Sequence, residues 1–287
     1  MADQTPPEFR LAVAGVVVAL RGDGAHRAVL QEAQYQPFLT HEPPAAVVDV
    51  TTAEVAWDTS ARSPQMTLDA QTLTYHTYGA EGDMDAASST GRLQLTADVP
   101  AARNALANYL RVVYALLLPR YGGFLFHSAG LIRNGRGYLF YGHSGSGKTT
   151  VSRLSRDRAT LLSDDLVAVR PVPFYPQAGT GLRQHDGVWH VHGTPFWGEL
   201  RGHPKTSASA PLRSLFSLVK DRQVRLEPLS VVQATADVVS SVPVTYKEPG
   251  LSQQLIAMCA DLAAHVPGYR LHFTPDDSFW SVIDELA

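Results

Sequence analysis

The stretch Gly137-Tyr138-Leu139-Phe140-Tyr141-Gly142-His143-Ser144-Gly145-Ser146-Gly147-Lys148-Thr149-Thr150-Val151-Ser152-Arg153-Leu154 decides the fold. Its first five residues are an apolar run that reads as a buried strand, and its last five are compatible with a helix. Between them, Gly142 to Thr149 satisfies G-x-x-x-x-G-K-[ST], and the strand-loop-helix context is the one that motif requires. The glycines allow the backbone to curl until successive N–H groups point at phosphate oxygens, and the helix offers its N-terminus to the same anion. Gly142, His143, Ser144, Gly145, Ser146, Gly147, Lys148, Thr149 and Thr150 are therefore the expected phosphate-binding residues. Lys148 is expected on the terminal phosphates and Thr149 on Mg²⁺ through its hydroxyl. A Gly/Ser-rich turn of purely structural purpose is the bland alternative. The correct flanks weigh against it.

Working outward, Phe124 to Ile132 precedes the loop strand and is joined to it through Asn134-Gly135, a dipeptide suited to the positive φ angles of a tight hairpin. On the other side, Ala159 to Leu162 ends in Ser163-Asp164-Asp165, followed by the strand-like Leu166 to Arg170. Phosphoryl transfer needs a divalent cation to spread charge and a carboxylate to position or deprotonate the nucleophile, and this acidic pair is placed to supply both. A turn or helix cap is the bland reading of the same two residues. Asp164 and Asp165 follow Lys148 by only 16 and 17 positions. Such an early acidic pair separates this chain from most nucleotide-binding loop proteins.

His127-Ser128-Ala129, the Tyr138 to Leu154 stretch and Leu162-Ser163-Asp164-Asp165 together resemble the catalytic domain of HPr kinase/phosphorylase. That family shares its nucleotide fold with the ATP-dependent phosphoenolpyruvate carboxykinases. The carboxykinases are much longer, and no second carboxylate-binding region is visible here, so a compact kinase is the better match. The resemblance implies a loop that cradles ATP, Mg²⁺ held by Thr149 and one aspartate, and an aspartate acting as base on a hydroxyl. By that analogy the base is Asp164 and the metal ligand Asp165, the order within the pair remaining open on the residues alone. Lys148 and His127 complete the catalytic set. A buried structural histidine is an equal reading of His127.

Three departures matter. His143 stands where the family has an aspartate, its downstream Glu-x-Arg-Gly element is here His190-Val191-His192-Gly193, and the Pro-Gly-Arg-Asn-like loop that the family uses late in the chain for phosphate handling is not found. HPr is thus a doubtful acceptor, and a peptide serine or a small hydroxyl compound is expected instead. The resemblance also implies a homo-oligomer.

The fold expectation is α/β (α+β). A β-rich region spans 1–98, and a domain of the phosphoenolpyruvate-carboxykinase/HPr-kinase type, with a mixed sheet around the loop, spans 99–287. In the first region Leu11 to Leu20 reads as one buried strand, and Ala46 to Val50, Ala53 to Trp57, Gln65 to Leu68, Thr72 to Tyr78 and Leu93 to Ala97 as further strands, with Gly79 to Thr90 a mobile loop. From Val99 apolar residues recur at helical spacing through Leu117, and Pro119 and Gly122 stop the helix. The Pro171 to Pro176 patch reads as loop or edge, Leu212 to Val219 and Tyr269 to Phe273 as strands, and Leu251 to Leu262 and Phe279 to Leu286 as helices.

His185, His190, His192 and His203 cluster in sequence near Glu199. His190 and His192, two apart on a strand, share a face and fit an acceptor pocket better than a metal site, which needs a third ligand from Glu199 or His203. Lys205 could complement a transferred phosphate, a solvated surface lysine being the stronger reading. The net charge of -3 and only four lysines argue against nucleic acid or an anionic membrane as partner. Cys259 is the single cysteine, so no intramolecular disulfide forms and a reducing cytoplasm fits best. Leu11 to Leu20 is far shorter than the roughly 20 apolar residues a membrane span needs. The expected activity is ATP-dependent transfer to a hydroxyl. The alternatives are a nucleotide sensor that docks a partner through its β-rich half, and a carboxykinase-like or motor ATPase.

Overall fold

The computed structural model describes residues 7–22, 24–53, 64–69, 72–172, 187–200, 202–243 and 249–286. It divides into two compact units, with the break between Leu117 and Leu118.

In the first unit β1 (Glu8–Val13), β2 (Val16–Arg21), α1 (His26–Leu30), β3 (Ala46–Ala53), β4 (Gln65–Asp69), β5 (Thr72–Thr77), β6 (Ala80–Asp85) and β7 (Thr90–Thr96) precede the long helix α2 (Val99–Leu117). The strands form a sheet in the order β1-β2-β3-β7-β6-β5-β4, mixed because β3 runs parallel to both β2 and β7. Alternation sends Val48, Leu73, Tyr75, Met84, Leu93 and Leu95 into the core. The other face is polar, with a cavity of about 830 Å³ lined by groups such as Asp49, Thr74, Asp85 and Arg92. Helix α2 begins where the Asp98 carboxylate accepts from the Ala101 N–H at 3.1 Å. It packs on the core face, and the buried hydroxyls of Tyr109 and Tyr114 donate to Asp83 O and Leu11 O, each at 2.7 Å. Beyond the end of α2, the short 3₁₀ turn Leu118–Tyr121 is followed by Gly122 at φ 72°.

Two sequence expectations are corrected here. The run Leu11 to Leu20 is a hairpin, because Ala14 and Gly15 adopt φ 50° and 75° and turn the chain between β1 and β2. The stretch Gly79 to Thr90 contains β6, whose Ala80 and Met84 point into the core while Glu81, Asp83 and Asp85 alternate outward. Of the Ala53 to Trp57 strand only Ala53 is described, as the end of β3, and 54–57 lie outside the described residues.

The second unit contains β8 (Phe124–Arg133), β9 (Arg136–Tyr141), α3 (Lys148–Leu154), β10 (Thr160–Ser163), β11 (Leu166–Val172), β12 (Val188–His192), β13 (Ser209–Lys220), β14 (Arg225–Pro228), α4 (Val231–Ser240), α5 (Pro249–His265), β15 (Gly268–Phe273) and α6 (Phe279–Asp284). Asn134 and Gly135, at φ 52° and 72°, make the expected hairpin between β8 and β9. The sheet is mixed, with β9 and β15 each parallel to β13. The two longest strands serve three partners apiece along their length. β8 pairs with β11 through its first half and with β9 and β10 through its second, and β13 pairs with β12 at its start and with β9 and β15 further on. Because β11 also pairs with β12, strands β8, β11, β12, β13 and β9 close a circuit. Of the Pro171 to Pro176 patch, Pro171 and Val172 end β11, and 173–176 lie outside the described residues.

A seven-residue helix does not hold itself in water, since nucleation costs more than two turns return. Helix α3 is held by its packing: Val151 lies with Phe140, Phe216 and Trp280 in one core cluster, and Trp280 Nε1 donates to Ser155 Oγ at 3.0 Å. The glycine-rich loop thus has a fixed strand at one end and a fixed helix at the other. Among the described residues, no helix is long and apolar enough to cross a membrane.

Candidate functional site

The loop leaves β9 at Gly142 and enters α3 at Lys148. Gly142, Gly145 and Gly147 adopt φ 144°, 79° and 116°, a region closed to most side chains, so the curl expected from the sequence is built into the backbone. His143, Ser144 and Gly145 form the exposed crest, while Gly147 and Lys148 are buried and Thr149 and Thr150 half-buried in the first turn of α3. A Cβ on Gly147 would overlap the ring of Phe273, itself buried at the end of β15. Sequence reading missed Phe273, whose part is to fill the space the glycine leaves.

Lys148 Nζ donates to Gly142 O at 2.7 Å and to His143 O at 3.3 Å, so the ammonium lies across the mouth of the loop. Burial lowers its pKa, opposed by the negative charges of Asp165 and Glu199. Both acids are therefore close enough to act on it. Ser146 Oγ is buried and has no hydrogen-bond partner among the described residues.

The acidic pair occupies the turn between β10 and β11, and its two carboxylates diverge. Asp165 is partly exposed, and its Oδ1 lies 3.5 Å from His127 Nε2. His127 reaches it from β8, where it stands opposite Leu166. Asp164 is only 5 % exposed, and its Oδ2 accepts from the Leu200 N–H at 2.8 Å. Ser163 Oγ accepts from the N–H groups of Asp165 and Leu166, both at 3.3 Å, fixing the turn.

The segment from Thr194 to Leu200 wraps this turn. Thr194 Oγ1 donates to Leu166 O at 2.5 Å, and Phe196 O accepts from Lys205, whose ammonium also lies 4.7 Å from the centre of the Trp197 ring. Lys205 is thus engaged, against the expectation of a solvated lysine. The wrapping segment was not found in the sequence as a partner of the acidic pair, because it acts on Asp164 through a backbone N–H and a missing side chain.

His190 and His192 share a face of β12, with ring centres 6.1 Å apart. They stand opposite Arg170 and Ala168 of β11. Burial, with Arg170 and His190 adding, pushes His192 down to about 3, so it is neutral at neutral pH. No third metal-ligating group joins them among the described residues, so neither Glu199 nor His203 completes a metal site. His203 Nδ1 instead lies 3.0 Å from Pro204 O. His185 is outside the described residues.

The fold and this site define an α/β protein whose glycine-rich strand-to-helix loop faces an early acidic pair. Residues 97–287 match the family model described as SynChlorMet cassette protein ScmC, and the chain belongs to that family. Among solved structures, the Hpr(Ser) kinase/phosphatase from Coxiella burnetii is similar at 14 % identity over 56 % of this chain and 87 % of that one, with a TM-score of 0.29. A search of the curated proteins found no match.

Proposed function

We propose that the chain is an ATP-dependent kinase that transfers the γ-phosphate to a hydroxyl acceptor, a peptide or protein serine or a small hydroxyl compound. The observation that carries the reading is the meeting of two separately encoded parts. The loop lysine, Lys148, lies within electrostatic reach of Asp165, which His127 flanks at 3.5 Å.

The residues present fit Mg-ATP. Three glycines turn the loop backbone, Ser146 has a buried hydroxyl without a partner among the described residues, and Thr149 and Asp165 offer the oxygen ligands a hard cation takes. Because α3 is only two turns long, the reading rests on the loop's own N–H groups more than on a helix dipole. Mg²⁺, when bound, spreads the charge that develops on the transferred group. In this reading Lys148 neutralises the terminal phosphates, and His127 orients Asp165. Asp164 accepts the proton of the acceptor hydroxyl, its carboxylate held at one oxygen by the Leu200 N–H.

The test is transfer of labelled γ-phosphate from Mg-ATP to free hydroxyl amino acids, serine-containing peptides, HPr and cell extract, with Asp164→Asn as control. A labelled product that disappears in the control is expected. ATP bound without any labelled acceptor would overturn the kinase reading in favour of a nucleotide sensor.

A further inference from the structure

Gly198 lies against the Asp164 carboxylate. A Cβ placed on it would fall 2.6 Å from Oδ2, 2.7 Å from Cγ and 2.8 Å from Oδ1, distances real Cβ atoms do not show. All three atoms of the group are met at once, so rotation of the carboxylate about its own axis does not relieve the overlap. Nor is there easy room elsewhere, since Asp164 is 5 % exposed and Oδ2 is held at 2.8 Å by the Leu200 N–H, two residues along the same segment. The segment is itself tied down, by Thr194 to Leu166 O and by Lys205 to Phe196 O. The wall on one side of the carboxylate is thus the bare Cα of Gly198, and the donor on the other is the backbone of Leu200.

We propose that Gly198 is a positioning residue: its missing side chain fixes where the Asp164 carboxylate sits, and any larger residue drives that carboxylate out of line with the acceptor hydroxyl. The proposal rests on the kinase reading for its consequence in turnover, but not for the contact itself. Gly198 does not have a positive φ, so the effect of alanine comes from the added methyl group rather than from a forbidden backbone. A geometric error at a base costs kcat and leaves nucleotide binding alone, because the base acts only as the proton moves.

The experiment uses the full chain. Gly198→Ala is expected to lower kcat for transfer at least tenfold with the Kd for Mg-ATP within twofold of wild type. Combined with Asp164→Asn it is expected to be no slower than Asp164→Asn alone, since the two changes disable one group. Thermal unfolding supplies an arm that needs no turnover. Gly198→Ala is expected to lower the midpoint in the wild-type background and to lose that effect in Asp164→Ala, where the carboxylate is gone. An equal drop in both backgrounds, or wild-type kcat in Gly198→Ala, overturns the proposal. Should Gly198→Ala alone not fold, recovery of folding in Asp164→Ala supports the contact, and failure there too overturns it. A wild-type chain that labels no acceptor overturns the kinase reading, while the unfolding comparison still decides on the contact.

Discussion

Substituting Gly147 by alanine separates two ways in which the loop depends on glycine. At φ 116° and ψ 12° an L-residue is strained, at a cost of about 1–3 kcal/mol. The new methyl group also overlaps the buried Phe273 ring, and overpacking of that kind costs about 1–3 kcal/mol more. Gly145→Ala is the internal control, for Gly145 has φ 79° but nothing within 4 Å of the point where a Cβ would stand. Gly147→Ala is therefore expected to exceed Gly145→Ala by the packing part, roughly 3–10 °C in Tm for a unit of this size, and by the greater backbone strain of φ 116° over φ 79°. Fluorescence of Trp189, Trp197 and Trp280, all in the C-terminal unit, follows the unfolding of that unit once the fourth tryptophan, Trp57 of the first unit, is replaced by Phe in every variant. In a Phe273→Leu background the excess should shrink by the packing part. Equal losses for the two alanine variants, or an excess undiminished beside Leu at 273, would refute the packing argument.

Lys148→Ala is expected to weaken Mg-ATP binding by about tenfold or more, as equilibrium dialysis would measure, because a partly buried cation is removed from the phosphate side of the loop. Unchanged affinity would remove the loop assignment. Asp164→Asn should leave that affinity near wild type and reduce transfer by about 10²–10⁴-fold, the range for a lost general base, and full turnover would move the base elsewhere. His192 gives a pH signature. Since burial holds its folded pKa near 3, the unfolded chain alone takes up the proton below pH 6.5, and stability falls as pH drops from there. The slope should reach about 1.4 kcal/mol per pH unit and flatten in His192→Gln, as urea titrations at pH 7, 6 and 5 would show. An unaltered slope would mean that His192 already carries its proton in the fold.

How much of this was legible in the sequence depended on whether the deciding feature lay in a side chain. Asn134-Gly135 announced the β8–β9 hairpin because both residue types tolerate positive φ, and the structure has 52° and 72° there. The Ala14-Gly15 turn was lost because it sits inside a run that is apolar throughout, where periodicity cannot tell one strand from two. Strand β6 was hidden for the opposite reason. Only Ala80 and Met84 face the core, and the Gly and Asp between them imitate a loop. Helix α4 did carry a signal, the capping box of Ser230 and Gln233, and its S-x-x-Q pattern would have revealed it. At the site, Lys148, Asp164, Asp165 and His127 bear chemistry and were named. Gly198, the Leu200 N–H and Phe273 were not, since a missing methyl group, a backbone donor and a filler of empty space have no distinguishing letter.

The closed circuit of β8, β11, β12, β13 and β9 has a consequence for self-association. A sheet recruits stray chains along unpaired borders, and a strand with neighbours on both sides has none to offer. Strand β9, which carries the glycine-rich loop, is bordered by β8 and β13 and so is closed to such recruitment. The borders left on this sheet, among the described residues, are β10 and β14. The first is four residues long, and the second, Arg225-Leu226-Glu227-Pro228, sets two opposite charges and a proline where a templating neighbour would have to dock.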